Sequence, residues 1–404
     1  MSQKALEGVK IADFTWAAAG PLTMSYMAHC GATVVKIESG TRSIGARTFP
    51  PPGGEAGMIS SIMFSNDNSD KLSITINMKE PKGVEVAKKL IEWADVVAEN
   101  FRPGTMEKWG LGYEELKEIN PSIIMFRSSA RGQTGPDAHV AENGITLQSQ
   151  TGFTYLTGWP DMDYPTPPWG AFTDLTAPAL GAVMLIGALD YRARTGKGQC
   201  LDLSQFEAGL QYLAPALLDY DVNKKCAGRI GNSSSCGVPH GVYQCSGDDR
   251  WCTIAVFNDT EWRALCNVMK KPELIEDQRF ATAVSRKKNE QELDNLISDW
   301  TMKHAAEEVM TRLQEQGVSS GVVENSYDIM NDPQIKDRKF FKQLEHKKLG
   351  AVTHHGVGFT LSKTPCEVQT PGPLLGQHTE YVCKELLGID EEEFRELADA
   401  GALE

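Results

Sequence analysis

No run of eighteen apolar residues occurs in the 404-residue chain, so no segment reads as a membrane span. The most apolar stretch, residues 177–191, is interrupted by Pro178, Gly181, Gly187 and Asp190 and reads as a buried helix. The start, Met1-Ser2-Gln3-Lys4, lacks the apolar core of a signal peptide, which makes the cytoplasm the expected compartment. No CxxC or HxxxH pair is present. Cys226, Cys236, Cys245 and Cys252 are spaced ten, nine and seven apart, which matches no zinc pattern, and no metal is expected. The nine cysteines are an odd number, and without a signal peptide they read as reduced thiols, mostly buried as small hydrophobes. A dense basic block is also missing. A net charge of −14 repels nucleic acid, so nucleic acid and membrane are not expected partners. There is no GxGxxG and no P-loop, which removes support for nicotinamide dinucleotides and ATP. Gly-x-Ser-x-Gly is absent, which argues against a serine hydrolase. Internal repeats and low-complexity segments are absent too.

What is present is an α/β pattern. Residues 8–14 and 32–38 read as short strands flanking a helix over 22–29, a β-α-β opening that predicts a parallel sheet. Residues 45–60, with Pro50-Pro51-Pro52-Gly53-Gly54, read as a long loop. Strands are predicted at 72–77, 95–99 and 123–128, and helices at 84–93, 106–118, 176–195 and 204–216. Residues 225–250 are rich in Gly, Ser and Cys. A strand at 249–256 and helices at 259–269, 288–302 and 305–317 follow, and this region reads as a smaller domain. Short strands around 355–361 and a last helix at 379–387 complete the chain. The expected division is 1–220 for the first part of a large domain, 221–330 for the small one, and 331–404 for the return to the large one.

Four segments carry candidate chemistry. Ala19-Gly20-Pro21 follows the first strand, where ligands of open α/β sheets bind; an ordinary turn is the equal alternative. Glu99-Asn100-Phe101-Arg102-Pro103-Gly104 offers an amide, a flat ring and a turn that suit an adenine-bearing ligand, or simply a polar turn. Asp174 stands at or just before the start of a long apolar helix, where N–H groups and the macrodipole favour negative charge. Alone, it reads more readily as a helix cap, with Thr176 competing for that role. Ser233-Ser234-Ser235-Cys236-Gly237 precedes Val238-Pro239-His240-Gly241 and suits either a mobile lid that offers oxyanion donors or a linker. A lone His240 beside Pro and Gly reads as structural.

Together these segments resemble the class III CoA-transferases, the CaiB/BaiF family that includes the formyl-CoA:oxalate and crotonobetaine/carnitine CoA-transferases. The likeness runs in order through Leu6-Glu7-Gly8-Val9, Ala19-Gly20-Pro21, Val35-Lys36-Ile37-Glu38, Lys71-Leu72-Ser73-Ile74, Glu99 to Gly104, Gly132-Gln133-Thr134-Gly135-Pro136, Asp174, Gly181, Thr195-Gly196-Lys197-Gly198-Gln199, Asp332-Pro333 and Leu375-Gly376-Gln377-His378-Thr379. The resemblance implies a large Rossmann-like α/β domain built from both chain ends, a small α/β domain between, and two interlocked subunits. It implies that Asp174 is the nucleophile, carrying acyl and CoA groups as aspartyl anhydride and aspartyl-CoA thioester. It places Ala17, Ala18, Arg47, Lys71, Asn100, Phe101, Thr105 and Lys108 at the coenzyme A site, and Ser234, Ser235, Cys236 and Gly237 in the lid. Coenzyme A and its thioesters are then substrates, with no tightly bound cofactor.

The sequence also departs from the family. Where the oxalate-specific member has four glycines in the mobile loop, this chain has Ser234-Ser235-Cys236-Gly237. A family arginine is Ser39, and a family tyrosine falls at Asn143. Oxalate specificity is therefore not expected. Trp16, Trp169 and the 161–168 loop point to a bulkier, aromatic acid, and the Asp13-Phe14-Thr15-Trp16 start is similar to succinyl-CoA:benzylsuccinate CoA-transferase subunits. That likeness implies succinyl-CoA as donor and a related, non-identical second subunit as an alternative to a homodimer. The related 2-methylacyl-CoA racemases use a His/Asp pair, and the stretch that would bring the histidine reads Glu142-Asn143-Gly144-Ile145-Thr146-Leu147 here. Its absence argues against racemisation. A non-catalytic CoA-binding subunit is the remaining alternative.

Overall fold

The computed structural model describes residues 4–41, Arg47 and residues 61–404. Except for Arg47, the loop expected over 45–60 lies outside the described residues. Two compact units are present: residues 1–154, 167–225 and 334–404 form the first, and residues 155–166 and 226–333 the second.

The first unit is built on six strands, β1 (Lys10–Asp13), β2 (Thr33–Glu38), β3 (Leu72–Thr75), β4 (Val96–Glu99), β5 (Ile124–Ser129) and β6 (Cys200–Ser204). They are ordered β3-β2-β1-β4-β5-β6, and every pair is parallel. Alternate side chains of a strand leave opposite faces, and here both faces are covered. Ala12, Val35, Ile74, Val97 and Met125 meet one core, with Val86, Leu90 and Ile91 of helix Pro81–Trp93. Ile11, Val34, Val96, Ile124 and Phe126 meet the other, with Met24 and Met27 of α1 (Ala19–His29). Two-sided burial is why the strands read as near-continuous apolar runs. Val382, Cys383, Ile389 and Leu397 from the C-terminal segment complete the first core, and Asn77 N–H donates to the Ala402 carbonyl.

Helix α2 (Gly144–Gln150) precedes the long α3 (Phe172–Thr195). Ala177, Gly181, Leu185 and Ala188 of α3 face inward. Leu175, Val183 and Ile186 are more than half exposed, so the expected buried helix is buried on one face only. By length and composition α3 would span a membrane, but its packing against Thr23 and Phe126 at Gly181 accounts for its apolar inner face.

Other expectations also change. The helix expected over 106–118 is two short ones, Thr105–Lys108 and Tyr113–Ile119, because Gly110 takes φ +67°. The helix expected over 204–216 breaks into Gln205–Gln211 and Ala214–Asn223. Strand β6 was not anticipated. In the second unit, β7 (His240–Gln244), β8 (Trp251–Ala255) and β9 (Ser319–Val322) form an antiparallel sheet over a core that includes Trp262, Phe280 and Ile297. Residues 155–166 join this unit through remote contacts such as Arg229 Nη2 donating to the Met162 carbonyl. The strands expected near 355–361 lie earlier, as the hairpin β10 (Phe341–His346) and β11 (Gly350–His355). The expected 379–387 helix passes into a π-helical turn over Val382–Leu386, and a further helix, Glu391–Asp399, follows.

The reading of all cysteines as thiols is corrected as well. Cys30, at the end of α1, and Cys366 are joined by a disulfide with Cα atoms 4.4 Å apart. These two residues are 336 positions apart, so no local pattern announces the pair. The other seven remain free.

Candidate active site

The loop between β1 and α1 leaves the carboxyl edge of the sheet and is held from beneath by buried charge. Asp13 Oδ1 accepts from the Thr15 N–H at 2.9 Å. The Lys36 ammonium donates to the Thr15 carbonyl at 2.6 Å, and Lys71 donates to the Pro21 carbonyl at 2.9 Å, to Asn68 Oδ1 and to Asp13 Oδ2 at 3.1 Å. Burial opposes ionisation of Asp13, but Lys71 and Lys36 outweigh it and hold its carboxyl below the usual range. Burial pulls Lys71 down to about 8. A carbonyl of the loop and one in the first turn of α1 thus point inward to ammonium groups. Above them Asn100 clasps Trp16: its Oδ1 accepts from the Trp16 N–H at 2.6 Å and its Nδ2 donates to the Trp16 carbonyl at 2.7 Å.

The residues expected at the coenzyme A site fall into two groups. Ala17 is exposed with φ +60°, Ala18 is half-buried and precedes α1, and Phe101 sits edge-on between Trp16 and Trp109, 5.6 Å from each. Thr105 is half-buried, and Lys108 is exposed. Lys71 and Arg47 do not fit as phosphate partners in this arrangement. The Lys71 side chain is wholly buried among three acceptors. Arg47 is bidentate to Glu38 at 2.6 Å, donates to the Pro373 carbonyl and lies over the Phe64 ring. Asn100 engages the backbone of Trp16, so its amide shapes the loop.

Asp174 is the third residue of α3 and caps nothing. The N-cap is Ala171, with no side-chain cap bond, and the Thr176 hydroxyl donates to the Thr173 carbonyl. The cap reading of Asp174 is therefore corrected. Its carboxyl has no ion-pair partner among the described residues, and burial raises it to about 6. Helix α2 packs beside it. A Cβ at position 144 would lie 2.5 Å from Asp174 Oδ2 and 2.5 Å from the Ala171 Cβ, so only glycine fits there. The Thr173 hydroxyl donates to the Gly144 carbonyl, and Gln148 Oε1 accepts from the Phe172 N–H at 3.0 Å. Asn143 is the N-cap of α2, accepting from the N–H groups of Ile145 and Thr146. Trp169 is almost fully exposed. Gln148 was not singled out from the sequence, and Lys36 and Gly144 were named only within longer segments, since each acts through a tertiary contact.

In the second unit, Ser235 and Cys236 are exposed and Gly237 is buried against Phe257. Ser234 Oγ accepts from the Cys236 N–H, and the Lys287 ammonium donates to the Ser234 carbonyl at 2.8 Å. The segment borders a cavity of about 480 Å³ that Arg286, Lys287 and Lys288 help to line. His240 Nδ1 lies 2.7 Å from the Asn232 carbonyl.

The pattern of CoA-transferase family III matches residues 6–379. The chain belongs to CoA-transferase family III. It is 33% identical over 388 residues to the succinyl-CoA–D-citramalate CoA-transferase of Chloroflexus aurantiacus, covering 96% of this chain and 95% of that one. It is 31% identical over 405 residues to the human succinyl-CoA:glutarate CoA-transferase, covering 99% and 90%. A CaiB/BaiF family protein from Brucella suis has the same fold, with a TM-score of 0.87 at 31% identity over 95% of this chain and all of that one. This family III member is thus a CoA-transferase, and acyl-CoA thioesters are its substrates.

Proposed function

We propose that this enzyme moves CoA from succinyl-CoA to a second dicarboxylic acid, with Asp174 as the covalent carrier. The observation that carries the reading is a carboxyl in the first turn of a long helix, largely buried, with no counter-ion among the described residues, raised to about 6. At neutral pH it is mostly ionised yet poorly solvated, which favours attack on a carbonyl carbon.

Asp174 Oδ attacks the thioester carbon. The C–S bond breaks, and CoA leaves as the thiolate with the electron pair, giving a succinyl-aspartyl anhydride. The thiolate attacks Asp174 Cγ and expels succinate, leaving an aspartyl-CoA thioester. The acceptor carboxylate then attacks Cγ and displaces the thiolate. The thiolate attacks the acceptor carbonyl of the new anhydride and returns Asp174 as a carboxylate. Each step exchanges one anion for another, so no net proton moves. A nucleophile without an adjacent base suits that chemistry. A backbone N–H at the start of α3 is the proposed oxyanion donor, worth about 3–4 kcal/mol in comparable sites. Ala17, Ala18, Phe101 and Thr105 line the proposed CoA path, and the exposed Lys108 is the proposed phosphate partner.

The two named relatives act, by their names, on citramalate and glutarate, both dicarboxylic acids, which supports that acceptor class. Benzylsuccinate is a dicarboxylate with an added ring, and the exposed Trp169 keeps it in the acceptor panel. The exposed Leu175, Val183 and Ile186 of α3 support assembly into the interlocked dimer, with an identical or related subunit.

The test is to incubate the enzyme with succinyl-CoA, trap with hydroxylamine, and map the adduct by mass spectrometry. A hydroxamate on Asp174 is expected, together with CoA transfer to glutarate, citramalate or benzylsuccinate. Turnover that leaves Asp174 unmodified, or wild-type rates in Asp174→Asn, would refute the carrier role.

A further inference from the structure

The first turn of α3 has an end that its own sequence does not satisfy. A helix leaves its first N–H groups unpaired, and a polar side chain at the N-cap normally accepts one of them. Here the N-cap is Ala171, which has no acceptor in its side chain. The Phe172 N–H, the first of the helix, donates instead to Gln148 Oε1 at 3.0 Å, from a different helix. Gln148 is 1% exposed, so water does not compete for this bond. Two further contacts join the same two turns. The Thr173 hydroxyl donates to the Gly144 carbonyl, and the missing side chain of Gly144 leaves room for the Asp174 carboxylate. Phe153 holds the Phe172 ring edge-on, with centroids 4.7 Å apart. Asp174 itself has no ion pair among the described residues to fix its direction. Its position is therefore inherited from the turn that carries it.

We propose that Gln148 is a positioning residue for Asp174, acting as a cap supplied from outside the helix that sets the first turn of α3. The inference rests on the reading of Asp174 as the nucleophile. It concerns the acceptor oxygen of Gln148 and not its amide nitrogen. A displaced carboxylate still leaves the CoA site intact but misses the thioester carbon, and a misplacement of about 1 Å in a reacting group costs roughly a hundredfold in rate.

The experiment compares Gln148→Met, which keeps the length and removes the acceptor, with Gln148→Glu, which keeps an acceptor oxygen at the same place. Steady-state kinetics with succinyl-CoA and the rate of Asp174 adduct formation are measured for both. Gln148→Met is expected to lower kcat and the adduct rate by roughly 10- to 100-fold, with KM for succinyl-CoA within about twofold of wild type. Gln148→Glu is expected to restore kcat to within about threefold. A Gln148→Met enzyme at wild-type kcat overturns the proposal, and so does an equal loss in both variants. If Gln148→Met does not fold, Gln148→Asn withdraws the acceptor by one methylene, and an unchanged kcat there is equally decisive. Asp174→Asn is run alongside. An active Asp174→Asn refutes the nucleophile reading itself, whereas an inactive one beside unaffected Gln148 variants refutes only the cap.

Discussion

If Asp174 is kept as a poorly solvated anion for attack, the fold must be less stable for it, and that cost has a calculable pH dependence. Burial raises the carboxyl from 3.8 to about 6 in the native protein. The native state therefore holds its proton more tightly than the unfolded chain. Below 3.8 both states are protonated and the residue is neutral in effect. Between 3.8 and 6 the unfolded chain ionises first, so stability falls as pH rises. Above 6 both are ionised and the full penalty remains. Linkage sets that penalty at about 3 kcal/mol at pH 8 and about 1.6 kcal/mol at pH 5. Asp174→Asn has nearly the same shape and no charge, so it removes the penalty. The variant is expected to be inactive and more stable than wild type by about those amounts, with a Tm rise of roughly 3–5 °C at pH 8 that shrinks by about half at pH 5. Scanning calorimetry at several pH values measures it. A variant no more stable than wild type at pH 8, or a gain that does not change with pH, would refute the account of Asp174 as a buried, uncompensated anion.

The same shift predicts that kcat/KM for succinyl-CoA falls roughly tenfold between pH 7 and pH 5, as the nucleophile protonates with a midpoint near 6; a flat profile over that range would count against it. Lys71→Met strands the Asp13 carboxylate in the interior and is expected to cost about 3–5 kcal/mol in urea unfolding, with Asp13→Asn combined with Lys71→Met recovering part of the loss; equal stability of the single and double variants would contradict the ion-pair reading. Gly144→Ala places a methyl 2.5 Å from Asp174 Oδ2 and is expected to lower kcat about a hundredfold while the circular dichroism spectrum is kept. Thiol titration of the denatured, unreduced protein is expected to find seven reactive groups of nine, since Cys30 and Cys366 are bonded; a count of nine would refute the bridge.

Much of the first unit is legible in the sequence. Strands β1, β2, β4 and β5 are apolar on both faces, a pattern that belongs to a parallel sheet and little else. Strand β6 was not legible because it lies at the edge of the sheet: Cys200 and Asp202 are exposed while Leu201 and Leu203 are buried, and so short an alternation comes soon after a long helix. Helix ends were misjudged where a glycine or a tertiary bond decides them. Gly110 interrupts one helix by its positive φ, and α3 starts at Phe172 with the help of Gln148. Asp174 could be found as a carboxylate near a helix start, but neither its burial nor the glycine beside it is encoded within its own segment.

The residues expected to touch the ligand divide by where their polar atoms point. Lys71 lies in a segment that resembles the family's, and the resemblance placed it against coenzyme A. Yet its ammonium faces the Pro21 carbonyl, Asn68 and Asp13, and Asn100 binds the two backbone atoms of Trp16. A buried lysine can be tolerated when every donor has an acceptor and an opposite charge lies close, and these conditions are met. Such a residue cannot turn to meet a phosphate without leaving Asp13 unpaired. Its effect on the ligand must therefore pass through the backbone: with the carbonyls of Thr15 in the loop and Pro21 in the first turn of α1 turned inward, the loop is held in one shape at the carboxyl edge of the sheet. The same logic applies at α3, where Gln148 and Gly144 fix a turn and leave its carboxylate bare. In both places buried polar contacts hold the backbone, and the exposed chemistry is reduced to what the exchange of anions requires. A family motif can thus mark the shape of a site as well as the atoms that react there, and the two are separated by kinetics: a shape residue shifts rate and stability together and is rescued by a variant that keeps its hydrogen bond, whereas loss of the nucleophile raises stability and abolishes turnover.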